Sequence, residues 1–169
     1  LSEVFRLQGA EELAHAEKQY LPQTVDATRA IVLGAAHGPE FGQLTDDKPK
    51  CMVEILGRPV LSHILDSYRA LGIRDIHVIR GYKANAVQAE GVRLIDCDPS
   101  REISDTSALY EAMAAIEGPC VISYGDVLFK KYIPQQLLDL DADIVVPVDT
   151  NWRESRNRGR YADFVVCST

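Results

Sequence analysis

The chain has no apolar run long enough to cross a bilayer, no signal-peptide pattern at its first residues, no CxxC pair and no internal repeat. It also has no basic excess: 18 Lys and Arg stand against 25 Asp and Glu, a formal net charge of −7. The first two absences set the expectation of a cytoplasmic protein with no membrane partner. The charge balance argues against nucleic acid and against anionic membrane surfaces, both of which call for a basic patch. An acidic chain that handles phosphates must do so locally, through individual Lys or Arg side chains, backbone amides or a metal. Cys51, Cys97, Cys120 and Cys167 lie far apart. Their spacing reads as reduced and mostly buried thiols rather than a disulfide framework or a zinc set. The histidines form no metal set either. His63 and His77 fall within regular elements and read as structural, which leaves His37 as a candidate site residue.

What is present is the patterning of an α/β domain. The 169 residues, 46% of them hydrophobic, suffice for one domain with a real core. Leu1–Leu21 reads as a helix, with Val4, Phe5, Leu7, Leu13 and Ala16 able to share a face and Pro22 to stop it. From Arg29 onward strands and helices alternate. Ala30–Leu33, Asp75–Ile79, Val92–Ile95, Cys120–Ser123, Asp143–Val148 and Ala162–Val166 read as strands. Met52–Leu56 is short and apolar, and Gly57-Arg58-Pro59 turns into a helix over Val60–Leu71 that Gly72 closes. Lys83–Gln88, Thr106–Ile116 and Ile133–Leu140 read as further helices. Asn151–Arg160, with four arginines, reads as a solvated loop. This alternation predicts α/β architecture: a three-layer sandwich around a mainly parallel, mixed sheet with right-handed crossovers.

The residues that carry chemistry fall at strand-to-helix junctions. From Ala30 to Lys50 the chain reads AIVLGAAHGPEFGQLTDDKPK. The apolar run Ile31-Val32-Leu33 empties into Gly34, Ala35 and Ala36, then turns through Gly38 and Gly42 to Lys48-Pro49-Lys50. A strand that opens into a loop of small side chains lets backbone N–H groups approach a phosphate chain, and a following lysine adds positive charge. The loop matches neither the Walker pattern nor GxGxxG. Ser123-Tyr124-Gly125-Asp126 follows another strand. An aspartate there suits Mg²⁺, and equally suits capping the next turn. Lys83 in Gly81-Tyr82-Lys83 is placed to meet an anion, or is a surface lysine. Ser104-Asp105-Thr106-Ser107 reads as a helix cap, and also as a polar loop able to bond a base or ribose. Open α/β sheets bind ligands at this edge.

The segment Ala30–Val166 resembles the nucleotidyltransferase (nucleotide-diphospho-sugar transferase) fold, which is Rossmann-like. That family's opening signature is LxAGxGxRLxxLTxxxPK. This chain has Leu33-Gly34-Ala35-Ala36-His37-Gly38, then Leu44-Thr45 and Pro49-Lys50. CMVEILGRPVLSHILDSYRALGI, IHVIRGYK and YGDVLF resemble its later segments. The resemblance is closest to small cytidylyltransferases. It implies CTP and a small phosphonate or phosphate acceptor as partners, with Mg²⁺ as cofactor. Lys50 would act on the α-phosphate. Leu33, Gly34, Ala35, Ala36, His37 and Gly38 would line the triphosphate. Ser104, Asp105, Thr106, Tyr124 and Gly125 would face the nucleotide, Lys83 the acceptor, and Asp126 the metal.

Leu1–Pro22 resembles the C-terminal end of phosphoenolpyruvate mutases. Residues 1–28 would then be a helical linker from a fused mutase, and 29–169 a nucleotidyltransferase domain incomplete at its C-terminus. The implied acceptor is 2-hydroxyethylphosphonate or 2-aminoethylphosphonate. A sugar-1-phosphate transferase and a degenerate nucleotide-binding domain remain as alternatives, and assembly as a homo-oligomer is left open. Two departures from the signature stand out. Ala36 replaces a glycine, and Glu40 falls where the family has arginine.

Overall fold

A computed structural model of the chain describes residues 25–98, 103–140, 142–149 and 151–154. The expected helix over Leu1–Leu21, the strand Ala162–Val166 and Cys167 lie outside the described residues. The chain divides into two compact units, one running from Leu21 to Leu138, the other holding the described residues from Asp139 onward.

The first unit is built on a four-stranded sheet of β1 (Arg29–Leu33), β4 (Asp75–Arg80), β5 (Arg93–Asp96) and β6 (Cys120–Tyr124), in the order β5-β4-β1-β6. All the pairings are parallel, with Leu33 beside Ile79 on one side and Tyr124 on the other. Between them in sequence, β2 (Glu54–Ile55) and β3 (Arg58–Pro59) make a small antiparallel hairpin. The helices are α1 (Val60–Ala70), α2 (Asp105–Ala112) and α3 (Tyr132–Leu138).

Strands β1 and β4 are the inner strands, and their composition follows from that place. Ala30, Ile31, Val32 and Leu33 are all buried, as are Ile76, His77, Val78 and Ile79. A parallel strand covered on both faces needs a continuous apolar run rather than an alternating one. The edge strand β6 instead leaves Ile122 and Tyr124 partly exposed.

Chain direction sets the layers. The connection β1–α1–β4 moves toward one edge of the sheet, and β5–α2–β6 moves back across it. Crossovers of one hand running in opposite directions put α1 and α2 on opposite faces. Ile31, Leu33, Ala35 and Ile79 pack with Ala108, Ala112 and Ala115 in one cluster. Ala108 and Ala112, one turn apart, let the α2 backbone come close to the sheet. Helix α1 buries Val60, Leu61, Ile64, Leu65 and Tyr68, one stripe at helical spacing. It ends at Gly72, whose φ of +95° is the left-handed conformation that closes helices.

Several expectations are corrected. Asp143–Val148 is not a strand: these residues form no ladder among the described residues, and Ile144 is 84% exposed. A strand needs a partner to satisfy its backbone groups, and an apolar pattern alone does not supply one. Lys83–Gln88 holds only a 3-10 turn over Ala84–Ala86. The helix expected over Thr106–Ile116 starts at Asp105 and gives way to a 3-10 turn over Met113–Ala115. Lys50–Met52 is also a 3-10 turn, so the Met52–Leu56 segment starts helical and only then enters the hairpin. Cys51, Cys97 and Cys120 are free thiols, the first two buried, as their spacing suggests.

Candidate active site

The parallel register brings the C-terminal ends of β1, β4 and β6 to one edge. Gly34, Gly81 and Gly125 follow these ends and turn the chain out of the sheet. The Gly34 N–H donates to the Ile79 carbonyl at 3.0 Å, and the Gly125 N–H to the Leu33 carbonyl at 2.9 Å. A Cβ on Gly125 would lie 2.9 Å from Gly34 Cα and 3.0 Å from Cys51 Cβ, so only glycine lets these loops meet.

The loop from Gly34 to Lys50 is held from within. Gly38 sits at a φ of +78°, and a Cβ there would come within 2.7 Å of Lys50 Cβ. Buried Thr45 donates its hydroxyl to the Gly38 carbonyl at 3.0 Å. The Lys50 N–H donates to the His37 carbonyl at 3.1 Å. The Cys51 thiol donates to the Gly34 carbonyl at 3.4 Å, and burial pushes its pKa up to about 12. The loop and the lysine that follows it therefore form one folded unit.

Lys50 is buried, and its ammonium lies between two carboxylates from distant parts of the chain. Lys50 Nζ is 3.0 Å from Asp105 Oδ2 and 3.3 Å from Asp126 Oδ2. Burial opposes its charge, but the hydrogen bond that Lys50 donates to Asp105 and the charges of Asp126 and Asp105 outweigh this and hold its pKa above the ordinary lysine value. Asp105 is the first residue of α2, behind a capping box in which Ser104 and Ser107 each bond the other's backbone N–H, at 2.8 and 3.2 Å. Asp105 Oδ1 is buried and accepts no hydrogen bond among the described residues.

A second wall comes from β4. The Tyr82 N–H donates to the Ala35 carbonyl at 2.8 Å. The Tyr82 ring stacks on His37 with centroids 3.9 Å apart, and its hydroxyl donates to the Asp46 carbonyl at 3.1 Å. Lys83 takes a φ of +47°, left-handed for a residue with a side chain, and its Nζ lies 5.8 Å from the Tyr82 ring centre. Strain of this kind gathers at functional sites.

Of the residues singled out from sequence, the structure joins Lys50, Asp105 and Asp126 directly. It sets Gly34, His37, Gly38 and Gly125 against Lys50 or its neighbour Cys51. Leu33, Ala35 and Ala36 are buried at the root of the loop. Ser104 acts as the cap, and Thr106 follows Asp105 in α2. Tyr124 ends β6 partly exposed. Lys83 shares no ion pair with the Lys50 cluster among the described residues. His63 and His77 serve structure: His63 Nε2 is 2.9 Å from the Ile55 carbonyl, and His77 Nε2 is 2.9 Å from Asp75 Oδ1. Sequence reasoning missed Tyr82 as the partner of His37 and Cys51 as the brace beneath Gly34. The adjacency of each to a singled-out residue was the available signal.

The donor set suits a hard divalent cation. Asp126 and Asp105 turn carboxylate oxygens toward a space that already holds a cation, the Lys50 ammonium. Among the described residues no group of three or more His, Cys, Asp or Glu converges. Mg²⁺ commonly takes one or two carboxylates and completes its shell with phosphates and water.

A parallel sheet with reversed crossovers, a small-residue loop at its C-terminal edge and a buried lysine beneath that loop define an α/β domain of the nucleotide-phosphate-binding class. The sequence profile of the MobA-like NTP transferase domain matches residues 30–155, and the chain belongs to that family. It is 25% identical over 135 residues to CTP:phosphoglutamine cytidylyltransferase of Campylobacter jejuni, covering 73% of this chain and 53% of that protein. It is 25% identical over 118 residues to CMP-5'-(3-aminopropyl)phosphonate synthase of Streptomyces rubellomurinus, covering 64% of this chain and 19% of that protein. The fold matches that of CTP:phosphocholine cytidylyltransferase from Streptococcus pneumoniae with a TM-score of 0.54 at 24% identity, over 62% of this chain and 50% of that one. The chain thus spans about half the length of the cytidylyltransferase relative from Campylobacter jejuni.

Proposed function

We propose that this domain transfers CMP from CTP to a small phosphonate, such as 2-hydroxyethylphosphonate or 2-aminoethylphosphonate, and releases pyrophosphate. The observation that carries this reading is the Lys50 ammonium, buried under the Gly34–Gly38 loop and set between Asp105 and Asp126. The likeness to a cytidylyltransferase and to a CMP-phosphonate synthase supports the choice of nucleotide and of acceptor class. The resemblance of Leu1–Pro22 to the end of a phosphoenolpyruvate mutase supports an acceptor that already carries a carbon–phosphorus bond.

In this reading an acceptor phosphonate oxygen attacks the α-phosphorus of CTP. The bond from that phosphorus to the bridging oxygen of the β-phosphate breaks, and pyrophosphate leaves in line. The chemistry needs positioning and charge neutralisation more than proton transfer. Lys50 carries a fixed positive charge to the α-phosphate. The backbone of Gly34–Gly38 cradles the outer phosphates, with His37 held in place by Tyr82. Lys83 meets the acceptor's anionic group, and Ser104, Thr106 and Ser107 with Tyr124 and Gly125 border the nucleoside. Mg²⁺ held by Asp126 would neutralise charge on the triphosphate. A soluble, cytoplasmic setting suits these substrates.

The test is pyrophosphate release with Mg²⁺, offering CTP, UTP, ATP and GTP against the two phosphonates, phosphocholine and glucose 1-phosphate. Release with CTP and a phosphonate is expected. Release only with a sugar phosphate would reassign the acceptor. CTP binding without turnover on any acceptor would mark a binding domain and put Glu40 first for reversion to arginine.

A further inference from the structure

Lys50 is one cation facing two acceptors, and the two differ in setting. Asp126 follows an edge strand, at the opening of a loop. Asp105 is fixed at the head of α2, where the capping box of Ser104 and Ser107 sets the backbone. Helix α2 is in turn packed onto the sheet through Ala108 and Ala112. Asp105 makes the shorter contact, 3.0 Å against 3.3 Å. Its second oxygen is buried and accepts no hydrogen bond among the described residues, so Lys50 is the one described group that its carboxylate bonds.

We infer that Asp105 is a positioning residue that keeps the Lys50 side chain aimed into the site through the reaction, while Asp126 is the carboxylate free to exchange the lysine for a divalent cation. This assignment rests on the nucleotidyl-transfer reading and adds a division of labour within it. An ammonium has three N–H groups. One stays on Asp105, one is released by Asp126, and one is left for the α-phosphate. A four-carbon side chain with no anchor would sample many rotamers, and the geometry needed for transfer would be rarely populated. The role differs from contact with the nucleoside, because the groups that bond Asp105 belong to the protein.

Three variants separate the possibilities: Asp105→Ala, Asp105→Asn and Asp126→Ala, each first checked for native far-ultraviolet dichroism. An Asn oxygen still accepts from Lys50 and an Ala methyl does not. For Asp105→Ala we expect kcat to fall by about 10- to 100-fold with KM for CTP changed by less than about threefold, since aim and not affinity is lost. Asp105→Asn is expected to recover most of that loss. Mn²⁺ binding in the presence of CTP, read by electron paramagnetic resonance, should survive Asp105→Asn and weaken in Asp126→Ala. Independent of turnover, acylation of Lys50 by an amine-selective reagent, followed by mass spectrometry, should run about tenfold faster in Asp105→Ala than in the parent protein, because a charge-assisted bond that shields the amine is gone.

Unchanged acylation in Asp105→Ala overturns the assignment. So does a rise in KM for CTP at constant kcat, which would make Asp105 a nucleotide contact, or loss of Mn²⁺ binding in Asp105→Asn, which would make it a metal ligand. If the parent protein transfers no nucleotide to any acceptor, the proposed function fails. The acylation rates then still decide whether Asp105 holds Lys50.

Discussion

The imidazole of His37 and the phenol of Tyr82 stack with ring centroids 3.9 Å apart, joining the loop after β1 to the loop after β4. The contact is braced by the Tyr82 N–H on the Ala35 carbonyl and by its hydroxyl on the Asp46 carbonyl. Such a pair contributes about 0.5–1.5 kcal/mol beyond the area it buries. Tyr82→Ala should therefore weaken CTP binding by about 2- to 12-fold, the equivalent of that energy. Isothermal titration would show it, and Tyr82→Phe should recover most of the loss. Equal affinity in all three proteins would remove the stack from nucleotide binding.

Lys50→Met keeps the volume and removes the charge. Turnover should fall by about 100-fold or more, the scale seen when one charge-stabilising donor is deleted from an active site. Nucleotide affinity should fall by less, because the Gly34–Gly38 backbone remains. Steady-state kinetics beside equilibrium binding separates the two, and full turnover would take Lys50 out of the chemistry.

At Gly125 the constraint is steric. An added methyl meets backbone atoms of Leu33 and Gly34 at 2.9 Å, and backbone cannot turn aside as a side chain can. Gly125→Ala should cost about 1–3 kcal/mol, as overpacking does. A urea unfolding curve whose midpoint stays put would contradict the close approach of these loops.

His77 is buried, and burial, ahead of the opposing charge of Asp75, holds its pKa below the ordinary histidine value. Its Nδ1 has no partner among the described residues, so a second ring proton would be a buried orphan donor. The unfolded chain takes up a proton near the ordinary value while the folded one still resists. Stability from this group is complete above that value. It falls as pH drops below it, down to the lowered folded value, by at most about 1.4 kcal/mol per pH unit. Chemical denaturation at a series of pH values from 7.5 to 5 should show the slope, and His77→Gln should flatten it.

Cys51 should be inert in the native protein. Its thiol is buried beneath Gly34, with a pKa pushed up to about 12. Thiolate is the reactive form, so alkylation at pH 8 should spare Cys51 until denaturant is added. Mass spectrometry of the alkylated peptides checks this directly, and rapid native labelling would place Cys51 elsewhere than under the loop.

The alternation of strands and helices was legible from Ala30 to Leu138 because inner parallel strands and amphipathic helices leave different periodicities. The strand expected over Asp143–Val148 failed for the same reason in reverse, since an apolar pattern records a tendency and not a partner. Gly38 and Lys50 were legible as a loop and its lysine. Asp105 was legible as part of a cap that could also meet a nucleotide. Nothing in its spacing from Lys50, 55 positions away, announced the ion pair.

The order of elements, the glycines at the strand ends and the residue types able to meet phosphate are written in the chain itself. These are local properties, fixed by side-chain volume, backbone freedom and periodicity within a few residues. Which carboxylates face the lysine, which ring covers His37 and where Cys51 lies depend on three loops meeting at one sheet edge. They are settled by folding, because parallel pairing and the direction of the crossovers, rather than distance along the chain, set which side chains share that edge.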